Sequence, residues 1–164
     1  MKVSFIRFCL LAFIIFQFSN ILLADSGGPL KPEQAAYDVT YYNLELNIDP
    51  DSKTIDGSLL CNVVIIDSVD ILLLDLDDVY SVTNIEMSIN NSNFQQVNYT
   101  HENELLEIEF TEDISPDDVV SCKIFYNGSP RIAVYPPWDV GFVWETTTLG
   151  KPLIAVACED EGGD

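Results

Sequence analysis

Short runs of alternating apolar and polar residues, separated by turn-forming residues, recur along most of this sequence. The clearest run places Tyr42, Leu44, Leu46 and Ile48 on one side, with polar residues between them. A period of two is the signature of a β-strand with one buried face. Eight or more such segments follow one another at a spacing of roughly 10 residues, and none shows the spacing of a long amphipathic helix. The sequence therefore predicts an all-β fold, an antiparallel sandwich or open barrel.

Turn-forming residues mark the ends of these predicted strands. Residues 49–53, Asp-Pro-Asp-Ser-Lys, separate the first strand from a second apolar run that begins at Ile55, which predicts a β-hairpin. Val39 and Tyr41 have the opposite parity to the rest of the first strand, so this strand either starts with both faces covered or contains a bulge. Further strands are predicted in the segments 70–78, 82–89, 94–99, 105–110 and 119–126.

The first residues have the composition of an export signal. Lys2 and Arg7 precede an apolar run, residues 8–16, and polar residues then interrupt it too early for a membrane span. This order predicts a secretory signal peptide over residues 1–24, and an uncleaved signal anchor is the alternative. Export to the periplasm or the extracellular space follows from the signal peptide.

The remaining chain is long enough for one domain. Residues 25–36 are predicted to be a polar linker and 37–164 a single β domain. The 164 residues include 27 Asp and Glu but only 7 Lys and Arg, for a net charge of −20. Nucleic acids and anionic membrane surfaces bind clustered basic side chains, so the composition excludes both as partners. It favours attraction of cationic groups such as an α-amine.

Residues for a metal or nucleophilic centre are few. Beyond the predicted leader, the cysteines are Cys61, Cys122 and Cys158, and the single histidine is His101. No Cys-x-x-Cys, Ser-His-Asp, phosphate-loop or dinucleotide pattern is present. A catalytic zinc centre therefore cannot be assembled from this sequence by itself. Cys61 and Cys122 are predicted to be buried thiols, and a disulfide between them is the alternative.

Two groups of acidic residues contain carboxylates that could bind a cation. The stretch 49–56 has a superficial likeness to a calcium loop, but Lys53 stands at the third ligand position and no Glu closes the loop. It is predicted to be a plain hairpin turn. Asp75, Asp77 and Asp78 are predicted to be acids at a strand end, without a metal.

Three Asn-x-Ser/Thr sequences occur, at Asn90, Asn98 and Asn127, and Pro130 follows the last of them. They are glycosylation acceptors only where the source glycosylates exported proteins. The sequence alone leaves their use open.

The last apolar segment, 153–157, runs into Glu159 and Glu161. Alternation would direct both carboxylates to the same side of a continuing strand. Strand-end carboxylates are usually solvated, and from the residues alone that interpretation is favoured over a binding role.

A series of short motifs follows in order over residues 35–164. They are Tyr42-x-Leu44-x-Leu46-x-Ile48, Gly57, Leu74-Asp75-Leu76 with Val82 and Ile85, Tyr126-x-Gly128-x-Pro130, Pro137-Trp138-Asp139, Gly141-Phe142-Val143-Trp144 and Cys158-Glu159-x-Glu161-Gly162. In this order the series resembles the N-terminal β domain of zinc aminopeptidases of the aminopeptidase N type, which are gluzincin metallopeptidases. One departure is Val140, where relatives often have a second Gly.

The resemblance implies a saddle-like antiparallel β domain packed against a thermolysin-like catalytic domain. Glu159 would help to bind the α-amine of a peptide N-terminus, whereas Glu161, Trp138 and Trp144 are assigned structural roles. The family's Gly-x-Met-x-Asn segment, His-Glu-x-x-His helix and distal Glu ligand are not among these residues. The resemblance thus implies that the chain is truncated before the catalytic domain, that zinc binds in that missing part, and that these 164 residues alone are inactive. The alternative function is an autonomous extracellular β-sandwich that binds ligands or proteins without catalysis.

Overall fold

The computed structural model describes residues 30–136 and 140–157. The predicted signal peptide, Trp138, Cys158, Glu159 and Glu161 lie outside them. The described residues form one helical turn, α1 (Pro32–Ala35), and ten strands. The strands are β1 (Tyr37–Asp49), β2 (Thr54–Ile65), β3 (Ile71–Asp75), β4 (Tyr80–Ile89), β5 (Gln95–Gln96), β6 (Tyr99–Glu102), β7 (Leu105–Glu109), β8 (Val119–Gly128), β9 (Gly141–Thr146) and β10 (Pro152–Ala157).

The strands form three antiparallel sheets. The largest has the order β1-β2-β8-β4-β5, the second β3-β7-β6, and the third is the β9–β10 hairpin. The large sheet does not close on itself, because β1 and β5 are its edges. The predicted all-β antiparallel fold is confirmed, as an open arrangement and not as a closed barrel.

The core lies between the five-stranded and the three-stranded sheet. Both sheets contribute fully buried residues to a single cluster, among them Val63, Ile85 and Val120 from the large sheet and Leu72 and Ile108 from the small one. Branched aliphatic side chains suit this position because they pack well on a pleated surface. The period-two pattern of the sequence therefore identifies most of the buried face correctly.

The predicted hairpin and its details are confirmed. β1 and β2 pair antiparallel with a register shift between Val39 and Tyr41, which is the bulge indicated by their parity. In the connecting turn, the Asp49 carboxylate accepts hydrogen bonds from Asp51 N at 2.9 Å and from Ser52 Oγ at 2.7 Å. These bonds make the stretch 49–56 a plain turn closed by its own side chains.

Two segments differ from their predicted form. The single strand predicted over 94–99 is divided between sheets, since β5 pairs with β4 while β6 pairs with β7. Val97 marks the crossing, where its N–H donates to Ile85 O at 3.1 Å. The predicted linker 25–36 includes α1, and the Gln34 amide donates to the Asp75 carboxylate at 2.8 Å. Contacts with the domain therefore begin before Tyr37.

The burial predicted for β1 is wrong, although its parity is right. Tyr42, Leu44, Leu46 and Ile48 face the same way as the core residues of β2, but they are 55, 53, 39 and 36% exposed. The reason is the sheet order: β1 is an edge strand, and the smaller sheet packs mainly over β2, β8 and β4. We call these four side chains the apolar shelf.

Among the described residues, no helix has the length and hydropathy needed to cross a membrane.

Candidate functional site

The predicted amine-binding residue follows directly from β10. Glu159, together with Cys158 and Glu161, lies outside the described residues. The structure does describe the hairpin that leads to it. In the β9–β10 register, Ala157 is the partner of Gly141 and Leu153 the partner of Glu145. The end of β10 therefore lies beside the start of β9.

The start of β9 is held tightly against the segment 131–133. Phe142 N donates to Arg131 O at 2.7 Å, and Ala133 N donates to Phe142 O at 3.1 Å. Gly141 has φ +130°, and a Cβ added there would lie 2.8 Å from Ala133 N and 2.9 Å from Arg131 O. Only glycine adopts this conformation without strain and permits this approach. Gly141, which the sequence marks as part of a motif, is thus required where β9 meets this segment.

The Arg131 side chain ties the same segment to the sandwich. Its guanidinium pairs with Asp77 in the β3–β4 turn and with Glu104 in the β6–β7 turn, and Nη2 is 3.1 Å from Asp77 Oδ1. Hydrogen bonding and charge, first from Asp77 and then from Glu104, raise the pKa of Arg131 further above its ordinary value. The three side chains are solvent-accessible, so salt screens their attraction.

Arg131 is not among the functional residues that the sequence motifs predict. The sequence feature that could have identified Arg131 is the scarcity of basic residues, because it is one of only 7 in a chain with 27 acidic residues. It also follows Pro130, immediately after the long strand β8. In so acidic a chain, an arginine between a strand and an aromatic motif is a candidate for an ion pair that orients the segment.

Two aromatic side chains pack on the hairpin. Phe142 and Trp144 stack with ring centroids 5.5 Å apart and an interplanar angle of 22°. The buried Nε1 of Trp144 has no hydrogen-bond partner within the part of the chain that the structure describes. The stacking agrees with the structural role assigned to Trp144.

The acids at the end of β3 all accept hydrogen bonds from protein donors. Asp75 accepts from Gln34, Asp77 from Arg131, and Asp78 from Glu104 N at 2.8 Å. Asp75, Asp77 and Asp78 are therefore strand-end acids satisfied by the protein itself, as predicted.

The described residues do not fit a metal centre. They contain no group of three or more His, Cys, Asp or Glu side chains arranged to hold an ion. His101 Nε2 lies 2.8 Å from Leu76 O and 3.8 Å from the Asp78 carboxylate, so its ring is engaged with the β3–β4 turn. Cys61 and Cys122 are both buried free thiols, which confirms the favoured prediction for these two residues.

The apolar shelf borders a groove between β1 and β3. The groove has a volume of about 490 Å³, and its apolar lining includes Tyr42, Leu59, Leu74 and Leu76. Clusters of exposed apolar side chains on soluble proteins often contact another protein or a ligand.

A second group of exposed apolar side chains lies at the β9–β10 hairpin. It comprises Ile132, Leu149, Leu153 and Val156, which are at least half exposed. The hairpin that leads toward Glu159 therefore also presents apolar surface.

Compared with family models and with curated protein sequences, the chain gives no match. Solved structures of M1 zinc metallopeptidases do resemble it. The M1 zinc metallopeptidase from Deinococcus radiodurans matches 71% of this chain with a TM-score of 0.54 and 20% identity. A mutant of an M1 zinc metallopeptidase from the same organism, bound to a Tyr-Ser-Ala substrate, matches 68% with a TM-score of 0.54 and 20% identity. A two-domain M1 zinc metallopeptidase mutant bound to L-tryptophan matches 76% with a TM-score of 0.56 and 21% identity.

The match covers only part of those proteins. This chain spans 28%, 24% and 27% of their respective lengths. A likeness at this level of identity concerns the arrangement of the strands. The chain thus has an antiparallel β fold that also forms part of M1 zinc metallopeptidases.

Proposed function

We propose that this chain is the N-terminal β domain of an exported zinc-dependent aminopeptidase, where it supports the catalytic domain and contributes the Glu159 carboxylate to recognition of the peptide α-amine. The observation that carries the proposal is the structural match to about a quarter of several M1 zinc metallopeptidases. One domain of a larger peptidase accounts for both the likeness and its limited extent.

The exposed apolar surfaces are consistent with a domain that packs against a second domain. Leu44 on the apolar shelf and Leu153 on the hairpin are 53% and 50% exposed, although strands of this length usually bury one face. Packing against a catalytic domain would remove such surface from water, and each buried Å² of apolar area contributes about 25 cal/mol. The partner proposed is the thermolysin-like domain that the sequence resemblance implies.

The chemistry of Glu159 suits a peptide N-terminus. A carboxylate and an ammonium group form charge-assisted hydrogen bonds, which contribute about 1.5–3 kcal/mol, or roughly a 10- to 100-fold effect on binding. The chain's surplus of acidic residues adds a long-range attraction for cationic ligands. Gly141 and Arg131 hold the start of β9 in place, and β9 is the partner of the strand that precedes Glu159 in the sequence.

Zinc does not belong to the described residues, which have no suitable group of ligands. In the proposed enzyme, the ion would be held by the catalytic domain, where it would polarise a water molecule for peptide hydrolysis. The part assigned to this chain is binding and orientation of the substrate's amine. The 164 residues alone are accordingly proposed to be inactive.

The experiment begins with the coding sequence. Reading the frame beyond Asp164 should reveal a His-Glu-x-x-His segment, and the complete protein can then be expressed and assayed with aminoacyl chromogenic substrates. Glu159→Ala is expected to raise the KM for free-amine substrates on the order of 10- to 100-fold without lowering thermal stability. Glu161→Ala, two residues along, is the matched control and should leave KM unchanged.

Equal kinetics for wild type and Glu159→Ala would remove the amine-binding role. A frame that stops at Asp164, with no catalytic partner encoded nearby, would favour the autonomous binding module instead. Zinc-dependent turnover by the purified 164-residue chain would contradict the proposal that this chain is inactive alone.

A further inference from the structure

We infer that Asn98 is the acceptor of an N-linked oligosaccharide in the exported chain. The inference rests on the export part of the proposed function and is independent of its peptidase part. Of the three Asn-x-Ser/Thr sequences, only the one at Asn98 combines an exposed asparagine, an exposed hydroxyl residue and a position at a sheet edge.

The strand geometry presents the two residues of this sequence that the modification requires. Tyr99, between them, points inward and donates its hydroxyl to Val82 O at 3.0 Å. Asn98 and Thr100 are both exposed, as alternation along β6 requires. The amide of Asn98, which directly precedes β6, and the hydroxyl of Thr100 in β6 therefore lie on the same outward side of this edge.

Asn98 can carry a glycan and still keep its hydrogen bonds to Glu109. Asn98 Nδ2 donates to Glu109 Oε2 at 3.0 Å, while Asn98 O accepts from Glu109 N at 3.0 Å. In the transfer, Nδ2 bonds to the sugar C1 and loses one proton. The bond between C1 and phosphate in a polyprenyl diphosphate-linked donor breaks, and the diphosphate leaves. One N–H remains on Nδ2, so the hydrogen bond to Glu109 can persist.

Asn127 is less accessible than Asn98. It lies in β8, a central strand, between Asp56 of β2 and Ser81 of β4. Its side chain is only partly exposed. A large polar group at this position would have to project from the middle of a sheet flanked on both sides.

Asn90 is exposed, but its amide is part of a turn. The Nδ2 donates to Asp118 Oδ1 at 2.8 Å, and Oδ1 accepts from Val119 N at 3.0 Å. The Ser92 hydroxyl of the same sequence accepts from Ile89 N at 3.1 Å. The Asn90 amide is thus engaged in connecting β4 to β8, and the Ser92 hydroxyl in the turn that follows β4.

The position of Asn98 also leaves the apolar shelf clear. The shelf lies on β1, one edge of the large sheet, whereas β6 packs beside β4 at the other side through Tyr99. A glycan at Asn98 would cover a free strand edge, and exposed edges are the sites where sheets pair with other chains. The proposed contact with a catalytic domain and the glycan therefore occupy different surfaces.

The test uses the full chain expressed in a secreting eukaryotic cell, once with its own leader and once with an established secretion leader. The secreted protein is treated with peptide N-glycosidase, which converts a glycosylated Asn to Asp, and peptides are examined by mass spectrometry. We expect conversion at Asn98 and none at Asn127. The same chain expressed in the cytosol without a leader should show no conversion.

Two variants of the exposed Thr100 provide a matched pair. Thr100→Ser keeps the acceptor sequence and should retain the glycan. Thr100→Val removes the hydroxyl, and the electrophoretic mobility of the intact chain should then increase by the amount expected for the loss of one glycan. Unmodified Asn98 in chains secreted through the established leader would overturn the inference and leave the peptidase proposal untouched. Failure of secretion with the native leader alone would overturn only the export proposal.

Discussion

Cys61 lies directly opposite Cys122 on the adjacent strands β2 and β8, and both thiols are completely buried. Burial raises the pKa of Cys61 from 9.0 to about 11, opposed by a hydrogen bond with Tyr42. Burial, and then the neighbouring Cys61, raise the pKa of Cys122 as well. We expect N-ethylmaleimide at neutral pH to leave both residues unlabelled in the folded chain and to label both in denaturant, as read by peptide mapping. Labelling of either under native conditions would contradict the burial.

The Cys61 thiol also makes the stability of the fold depend on pH in the alkaline range. Its pKa is higher in the folded than in the unfolded chain, so its contribution to the free energy of unfolding is complete below pH 9 and is lost as the pH rises through about 11. Denaturant unfolding between pH 7 and 11 should show this loss. The Cys61→Ala variant should be less stable overall, but its free energy of unfolding should fall less between pH 7 and 11 than that of the wild type. If the free energy of unfolding fell equally steeply with pH in both proteins, the Cys61 thiol would not be the source of the pH dependence.

Replacing Arg131 should loosen the β9–β10 hairpin without unfolding the sandwich. Arg131→Met removes the pairs with Asp77 and Glu104 but leaves the backbone bonds of Phe142. We expect faster hydrogen exchange at the Phe142 amide and little change in the global unfolding midpoint. Lys151→Met is the control, because it removes the same charge from a side chain without an ion pair in the described residues. Equal exchange in both variants would contradict the anchoring role.

Two glycines of the hairpin should respond differently to alanine. At Gly141, φ is +130° and the new Cβ would meet backbone atoms within 3 Å, whereas Gly150 has φ +72° and open space around it. Gly150→Ala should cost about 1 kcal/mol from its backbone conformation alone. Gly141→Ala should cost more than about 2 kcal/mol and detach β9 from the segment 131–133. Hydrogen exchange at Ala133 and Phe142 reports the detachment, and equal protection in the two variants would contradict it.

The apolar shelf should tolerate polar substitution. Leu44 is 53% exposed, so Leu44→Asn should change the free energy of unfolding by less than about 1 kcal/mol. Leu72→Ala, at a fully buried site, should cost about 2–5 kcal/mol. Urea unfolding of the two variants measures both changes in stability. If Leu44→Asn destabilised the chain as much as Leu72→Ala, the shelf would have to be buried by other residues of the same chain.

Local patterns of the sequence were sufficient to predict most strands and the turns between them. Alternation in β1 and β2, the odd parity of Val39 and Tyr41, and the turn at Asp49 depend on neighbours within a few residues, so each was predictable. The division of 94–99 between two sheets was not, because it depends on the distant bond from Val97 to Ile85.

The sequence by itself determined the all-β antiparallel class and the acidic surface, and it favoured buried thiols at Cys61 and Cys122. Only the tertiary structure decided that β1 is an edge strand with an exposed apolar face, and that Arg131 reaches both Asp77 and Glu104. It also separated the asparagine at a sheet edge, Asn98, from Asn127 in a central strand, although both have the same local sequence pattern. The physical reason is that alternation fixes which way a side chain points from its own strand. What covers that side chain depends on strands far away in the sequence.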